Sequence, residues 1–214
     1  MKKQPSKTYE ILRDKIVSGE YYPSQRLVET KLAKVLNTSR DHIRMAFQRL
    51  DADGLIELSP NQGATVTVVT LEDILDVLVA LEALELACYR RALMRMTDKM
   101  LRHLEDLVEK MQHAIEESDY ELYTWSSMNF RNTLVDAAES PRLKELVETM
   151  RLTGNRIRLR SVIIPLRGHS SLAEHERIME AIHNADLIEL EAAFRHHMES
   201  VRRDTEKHWD FIRP

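Results

Sequence analysis

The pattern of apolar and polar positions changes character near residue 70. Before that point, short apolar groups predict three short helices, over Thr8–Ser18, Val28–Leu36 and about Arg40–Asp53. The β-branched segments Leu55–Leu58 and Ala64–Val69 flank a Ser-Pro-Asn-Gln-Gly turn, which predicts a hairpin. Three helices followed by a two-stranded hairpin are the layout of a winged helix-turn-helix.

From Leu71 onward, apolar residues recur every three to four positions over long stretches, which predicts one helix after another. Thr97 can cap the start of one helix, and Pro141 suits the first turn of another. Pro165 to Gly168 is expected to interrupt the helical run. The predicted spans are 71–96, 98–117, 119–138, 142–164, 171–184 and 186–210.

These elements define a mainly α fold with two domains. Residues 1–70 are predicted to form a winged helix-turn-helix domain, called the head below. Residues 71–214 are predicted to form an antiparallel all-helical bundle of about six helices, because the connectors between the helices are short. Only 5 Gly and 6 Pro in 214 residues agree with long, uninterrupted helices.

Cysteine usage and hydropathy bear on the cellular compartment. The single cysteine, Cys88, excludes an intrachain disulfide and fits a reducing environment. The sequence has no apolar run of the roughly eighteen residues that a membrane span needs, and its start has no signal-peptide core. We therefore expect a cytoplasmic protein without a membrane partner.

Charge is distributed unevenly along the chain. The net charge is −4, yet residues 1–70 hold 11 Lys and Arg against 8 Asp and Glu. The rest of the chain holds 20 against 27. A basic head on an acidic body suits a protein that approaches DNA by one end.

The third predicted helix carries a polar face that can enter the major groove. Arg40, Arg44 and Gln48 are spaced four residues apart, so they lie on one side of the helix. Arginine can bind guanine edges with two hydrogen bonds, and glutamine can do the same with adenine. The alternative is a solvated face on which Asp41 and Asp51 balance the arginines; the position of the helix in a basic, winged layout favours DNA.

Four further residues extend this candidate DNA-binding surface. Ser39 is placed as the N-cap of the third helix, where free backbone N–H groups can hold a phosphate. Asn61, Gln62 and Gly63 lie at the tip of the predicted wing, where they can follow the DNA backbone or the minor groove.

The first sixty or so residues also resemble a known family. The stretch YEILRDKIVSGEYYPSQRLVETKLAKVLNTSRDHIRMAFQRLDADGLIELSPNQGATV is similar to the N-terminal domain of GntR-type transcription regulators. Ser24 replaces the usual Gly after Pro23, and His42-Ile43 replaces the usual Pro-Val. The resemblance implies that Thr30, Ser39, Arg40, Arg44 and Gly63 contact DNA, and the departure at His42 points to an altered operator preference.

The helical remainder resembles the FCD effector domain of the FadR subgroup, through FRNTLVDAAESPRL, EHERIMEAIHNAD and AAFRHHM. Many such domains bind a divalent metal through one Asp and three His. In this chain the four positions hold Ser127, Arg131, His175 and His197. A guanidinium is always charged and never a metal ligand. We therefore expect no tightly bound metal and no required cofactor; if a divalent metal binds, His175 and His197 are its ligands.

Arg131 is instead expected to attract an anion. A buried guanidinium near His175 and His197, with Ser127 beside them, can bind the carboxylate or phosphate of a small effector. Asn155 and Arg156 are weaker candidates for the same pocket. The alternative is that Arg131 is an ordinary surface arginine and both histidines are hydrogen-bonded core residues.

Together these features predict a transcription regulator, a repressor that binds double-stranded DNA as a homodimer and responds to a small organic acid. A dimer would place its two recognition helices about 34 Å apart on a pseudo-palindromic operator. No Ser-His-Asp spacing, phosphate-binding loop or full metal-ligand set indicates an enzyme. The alternatives are a metal-responsive or effector-independent DNA-binding protein and, last, a metal-dependent hydrolase.

Overall fold

The structure is a computed structural model that describes residues 7–59, 63–161 and 167–212; for residues 152–161, 167, 211 and 212 only the backbone is described. Helices dominate, and a small antiparallel sheet lies in the N-terminal part. The predicted fold class is therefore confirmed. In the described ranges, no helix combines the length and the apolar character that crossing a membrane requires.

The head consists of three helices and three short strands. Its elements are α1 (Lys7–Val17), β1 (Arg26–Leu27), α2 (Glu29–Val35), α3 (Arg40–Ala52), β2 (Ile56–Ser59) and β3 (Gly63–Val66). β3 lies between β1 and β2 and pairs with both in antiparallel fashion. The hairpin of β2 and β3 was predicted, but β1 was not. A two-residue strand shows no alternating pattern, and its pairing with β3 depends on contacts distant in sequence.

The head has its own hydrophobic core, in which α1 and α3 pack against each other and against the sheet. α3 contributes a buried stripe at helical spacing, as its sequence predicts. The most enclosed residues of this core are Leu12, Ile16, Leu27, Ile43, Ala46, Phe47, Leu50, Leu55, Ile56, Ala64 and Val66.

The bundle follows directly. Its helices are α4 (Leu71–Leu93), α5 (Asp98–Glu116), α6 (Tyr120–Ala137), α7 (Pro141–Ser161), α8 (Arg167–His183), α9 (Leu187–Lys207) and the short α10 (Trp209–Ile212). Polar side chains cap the starts of four helices. The hydroxyls of Thr70 and Thr97 and the carboxylates of Asp119 and Asp186 accept hydrogen bonds from backbone N–H groups in the first turn of each helix. These caps explain why short connectors suffice between long helices.

The start of α8 differs from the sequence prediction. We expected a break up to Gly168, yet α8 already begins at Arg167. Gly168 does not stop the helix but lies where α8 packs against α5: a Cβ atom there would lie 2.5 Å from Cδ1 of Ile115. Glycine stands there because two helices approach closely, and the sequence alone does not distinguish this use of glycine from a helix stop.

The buried apolar residues form two separate groups. One runs from Tyr9 to Val66 and the other from Val69 to Met198. The change from one group to the other lies between Val66 and Val69, just before the capping box that Thr70 and Asp73 form at the start of α4, and the domain boundary at residue 70 stays a prediction.

Candidate DNA-binding surface and effector site

The predicted recognition face lies on the solvent side of α3. Ile43, Phe47 and Leu50 are buried, whereas Arg40 and Gln48, like Arg44, are exposed. The hydroxyl of Ser39 accepts a hydrogen bond from the backbone N–H of His42 at 3.2 Å and so caps the helix. α3 therefore presents a polar stripe of three side chains on a helix whose back is fixed in the core.

Glu29 of α2 lies against both arginines of this stripe. Its Oε2 is 3.2 Å from Nη2 of Arg44 and 3.8 Å from Nη2 of Arg40. The two arginine side chains nevertheless remain 61% (Arg40) and 54% (Arg44) exposed. An exposed ion pair is weak and easily exchanged, so these guanidiniums can turn toward DNA.

The remaining DNA-contact candidates lie close by or outside the described residues. Thr30 is exposed in the first turn of α2. Nδ1 of His42 is 3.1 Å from the hydroxyl of Thr38, which holds the ring at the start of α3. Asn61 and Gln62 fall outside the residues that the structure describes.

Gly63 begins β3 in a conformation that requires glycine. Its φ is +89°, and a Cβ atom there would lie 2.5 Å from the carbonyl oxygen of Leu27. We expect Gly63→Ala to destabilise the head more than Gly54→Ala, measured by thermal unfolding. Gly54 has φ +70° but no atom within 4 Å of its Cβ position, so the control carries only the backbone strain of about 1–2 kcal/mol. Equal losses from the two substitutions would contradict this account.

In the bundle, three helices bring the second group of predicted residues together. α6 places Ser127 and Arg131 one turn apart, α8 carries His175, and α9 carries His197; all four are buried. Nε2 of His175 is 3.3 Å from the hydroxyl of Ser127, and the two imidazole centroids are 5.0 Å apart. Ser127, His175 and His197 thus form a compact cluster, and Arg131 lies one helical turn from Ser127.

Both histidines are oriented by their Nδ1 atoms. Nδ1 of His175 is 2.6 Å from the carbonyl oxygen of Ser171, which can only accept, so this nitrogen donates. Nδ1 of His197 is 2.7 Å from Oε2 of Glu174, a residue that is itself buried. The histidines are therefore hydrogen-bonded, as the alternative interpretation required, and they also lie beside Arg131's helix.

Arg131 is a buried arginine and not a surface one. Its Nε donates to Oε2 of Glu85 at 3.1 Å, and its Nη2 donates to Oε1 at 2.5 Å. Burial lowers the pKa of Arg131, but the Glu85 carboxylate raises it and the net direction is upward. The guanidinium stays charged, and its counter-charge is a residue that the sequence analysis did not consider.

A second arginine shares the same carboxylate. Nε of Arg151, on α7, donates to Oε1 of Glu85 at 3.0 Å, and Nη1 donates to Oδ1 of Asn132 at 2.6 Å. Nη2 of Arg151 is enclosed and lies 3.0 Å from Oε1 of Glu85, an ion-pair contact without the alignment of a hydrogen bond. Two guanidiniums with one carboxylate leave one positive charge in excess within this triad of Arg131, Glu85 and Arg151.

Periodicity marks the residues that the sequence analysis missed. Glu85 falls on the buried stripe of α4, four residues after Leu81 and three before Cys88. Arg151 lies four residues after the buried Val147. Glu174 lies four residues before the buried Ile178. A charged residue on an apolar stripe indicates a buried ion pair. The side chains of Asn155 and Arg156, predicted as weaker candidates, lie outside the described part of the chain.

The cluster does not fit a divalent metal. A guanidinium occupies one of the four positions and a serine another. The described residues contain no group of three or more His, Cys, Asp or Glu placed to hold a metal ion. Arg131 places a fixed positive charge at one of these positions, where a metal would need a ligand.

Arg151 also lines a cleft between the head and the bundle. The cleft has a volume of about 560 Å³. Its head wall includes Tyr9, whose hydroxyl donates to Oδ2 of Asp53 at 2.5 Å while the guanidinium of Arg49 lies 4.0 Å from its ring centroid. Arg151 therefore contacts both the buried carboxylate of Glu85 and the cleft between the head and the bundle.

Comparison with known proteins decides which family this architecture represents. The model of bacterial regulatory proteins of the gntR family matches residues 5–66, and the FCD domain model matches residues 76–200. The chain belongs to the GntR family and carries an FCD domain. It is a DNA-binding transcription regulator of the GntR/FCD type, and its matches are regulators and not enzymes. GntR regulators bind DNA, and FCD domains bind small-molecule effectors.

Relatives of this GntR regulator match it over most of their length. The HTH-type transcriptional repressor RspR of Escherichia coli K12 is 27% identical over 208 residues, covering 95% of this chain and 91% of RspR. LutR of Bacillus subtilis is 27% identical over 210 residues, covering 87% and 94%. The solved structure of E. coli McbR/YncC has a TM-score of 0.78 at 22% identity, covering 94% and 96%, and so shows the shared fold.

Proposed function

We propose that this GntR/FCD regulator represses transcription as a homodimer on a pseudo-palindromic operator, and that a small organic anion bound beside Arg131 and Arg151 releases it. The observation that carries the effector part is the buried triad, in which one carboxylate serves two guanidiniums. A buried charge without a full partner is costly, so an incoming carboxylate gains the interaction that the protein leaves incomplete.

The geometry favours an anion of a particular shape. Guanidiniums bind carboxylates through two parallel hydrogen bonds, and Nη2 of Arg151, 3.0 Å from the Oε1 atom of Glu85 that two other N–H groups share, is not aligned to donate to it. The imidazoles of His175 and His197, with the hydroxyl of Ser127, supply polar neighbours for a second oxygen-bearing group. A small hydroxy or dicarboxylic acid meets both requirements.

The position of Arg151 supports a route from the effector to the head. Its guanidinium contacts Glu85 and Asn132 and lines the cleft that faces Tyr9 and Arg49. An anion that draws Arg151 toward the buried site changes the wall of that cleft. Effector binding and operator binding are then linked, and linkage of this kind changes affinity about 5- to 150-fold.

The test starts from an operator selected out of random duplex DNA. A panel of small organic acids is screened by thermal shift, and each stabilising acid is added to an operator-binding titration followed by fluorescence anisotropy. We expect one class of acid to raise the melting temperature and weaken operator binding. Arg151→Met should abolish this response and leave operator affinity without the acid close to that of the unaltered protein.

Arg177→Met serves as the matched control. Arg177 lies on α8 like His175, but it forms an exposed ion pair with Glu189 at 2.7 Å. Its replacement should leave the acid response intact. If no acid alters operator affinity, the effector proposal fails while operator binding stands; if Arg151→Met responds normally, Arg151 is not part of the effector site.

A further inference from the structure

One large apolar side chain is exposed on α3, the helix that carries the predicted recognition face. Met45 exposes 62% of its surface, and in α3, every residue of which the structure describes, no other large apolar residue is exposed. Ile43 precedes Met45 by two residues and Phe47 follows it by two, so each lies about 200° around the helix from it. Met45 therefore lies on the side of α3 directly opposite the core of the head.

The side of α3 that faces away from the core is otherwise polar. Asp41 lies one turn before Met45, and Gln48 lies one turn after it. The side chain of Asp41 is 87% exposed, and its Oδ1 is 3.9 Å from Nη1 of Arg44. When a helix enters the major groove, the side farthest from its own domain meets the floor of the groove, where the base edges lie. Met45 is in the middle of that side.

The major groove offers an apolar side chain one apolar partner, the C5-methyl group of thymine. The other groups on the base edges are hydrogen-bond donors and acceptors, and a thioether is only a weak acceptor. Methionine is unbranched and adapts its shape to an apolar neighbour. Contact with a thymine methyl removes apolar surface of both groups from water, and a base without the methyl does not provide this gain.

The charges around Met45 favour DNA over an apolar protein surface as its partner. An apolar surface that covered Met45 would also cover Asp41 and Arg44, which lie within one turn of it and would lose water without gaining hydrogen bonds. The major groove supplies partners for both charges, because the amino group of cytosine donates to a carboxylate and guanine accepts from a guanidinium. One surface then satisfies the apolar and the charged side chains together.

We propose that Met45 is a specificity-determining residue of this regulator and packs against the C5-methyl group of a thymine in each operator half-site. The proposal rests on the recognition face of α3 and on the homodimer of the proposed function, and it names one base that α3 selects. The operator then has a thymine at a fixed position of each half-site, and the methyl group of that thymine contributes to affinity.

Deoxyuridine tests the contact because it differs from thymidine only in lacking the C5-methyl group. The operator is selected out of random duplex DNA, and its thymines are replaced by deoxyuridine at one symmetric pair of positions at a time. Anisotropy titrations at a fixed salt concentration compare these duplexes. At one pair of positions the unaltered protein should bind about 15-fold more weakly, which is about 4-fold for each methyl group. The same replacement at the other thymines should have no such effect.

Three variants assign the methyl contact to a residue. Met45→Ala should bind the thymine and uracil operators equally, and about as weakly as the unaltered protein binds the uracil operator. Met45→Leu keeps an apolar side chain and should still prefer thymine. Both should fold, because position 45 is exposed and both new residues favour helices. Met94→Ala is the matched control: Met94 is 81% exposed, but it lies at the end of α4 in the bundle, so this variant should keep the preference for thymine.

The outcomes separate this contact from the proposals on which it rests. If the selection enriches no operator, sequence recognition by α3 is wrong, and the contact of Met45 with it. If an operator is enriched but the loss of no thymine methyl weakens binding, or if Met45→Ala keeps the preference for thymine, only the role of Met45 is wrong. A methyl-dependent loss confined to one position without a symmetric counterpart would support the contact and contradict the homodimer.

Discussion

We expect an Arg44→Ala variant to bind its operator about 10- to 100-fold more weakly than the unaltered protein, the loss of one bidentate contact between arginine and guanine. The expectation rests on the exposed stripe of α3. Arg44 keeps 54% of its side chain exposed while Ile43 and Phe47 fix the helix from behind. The loss appears in fluorescence anisotropy titrations of the selected operator.

Two variants identify the origin of this loss. Arg44→Lys keeps the positive charge but lacks the planar set of donors of a guanidinium. Compared with Arg44→Ala, it should therefore bind random DNA more tightly without regaining the preference for the operator. Arg102→Ala removes an exposed arginine from α5 and should leave operator affinity unchanged. If Arg44→Ala weakens operator and random DNA equally, Arg44 contacts phosphate and does not read a base.

Glu85→Gln is expected to give the largest loss of stability. It removes the charge that Arg131 and Arg151 share and leaves two guanidiniums in a buried site, a change that costs about 3–5 kcal/mol. The free energy of unfolding in urea measures it. Removing one of the arginines has a smaller effect, because in Arg131→Met the carboxylate of Glu85 keeps Arg151 as its partner.

The matched control for Glu85 is Glu189→Gln. Glu189 pairs with Arg177 at 2.7 Å, but its side chain is 41% exposed, so its loss should cost no more than about 1 kcal/mol. Equal losses at positions 85 and 189 would show that burial does not set the strength of the triad. A stability of Glu85→Gln above that of Arg131→Met would show that Arg151 does not take part.

Sequence patterns predicted the elements whose signals are local. The spacing of Ile43, Phe47 and Leu50 determined both the buried and the exposed side of α3, and Ser39 marked its first turn. The strand β1 and the start of α8 were missed for a common reason. Arg26 pairs with Thr65, and Gly168 fits against Ile115, so both features depend on neighbours far away in sequence.

The candidate effector site shows the same division. Family resemblance brought Ser127, Arg131, His175 and His197 to attention, and the structure gathers them. It did not reveal that Glu85 neutralises Arg131 from 46 positions away. Helical periodicity could have marked Glu85 as a buried charge, but only the packing of α4 against α6 and α7 shows which arginines it binds.

The contact of Glu29 with Arg40 and Arg44 bears on how the regulator searches a genome. While both guanidiniums remain with this carboxylate, fewer cations are available to displace counterions from arbitrary DNA. We expect the residence time of the protein on random DNA to be short and to depend only weakly on the salt concentration. An operator offers base edges as well as phosphates in place of Glu29, so the exchange of these weak ion pairs brings a larger gain at the operator than at a random site.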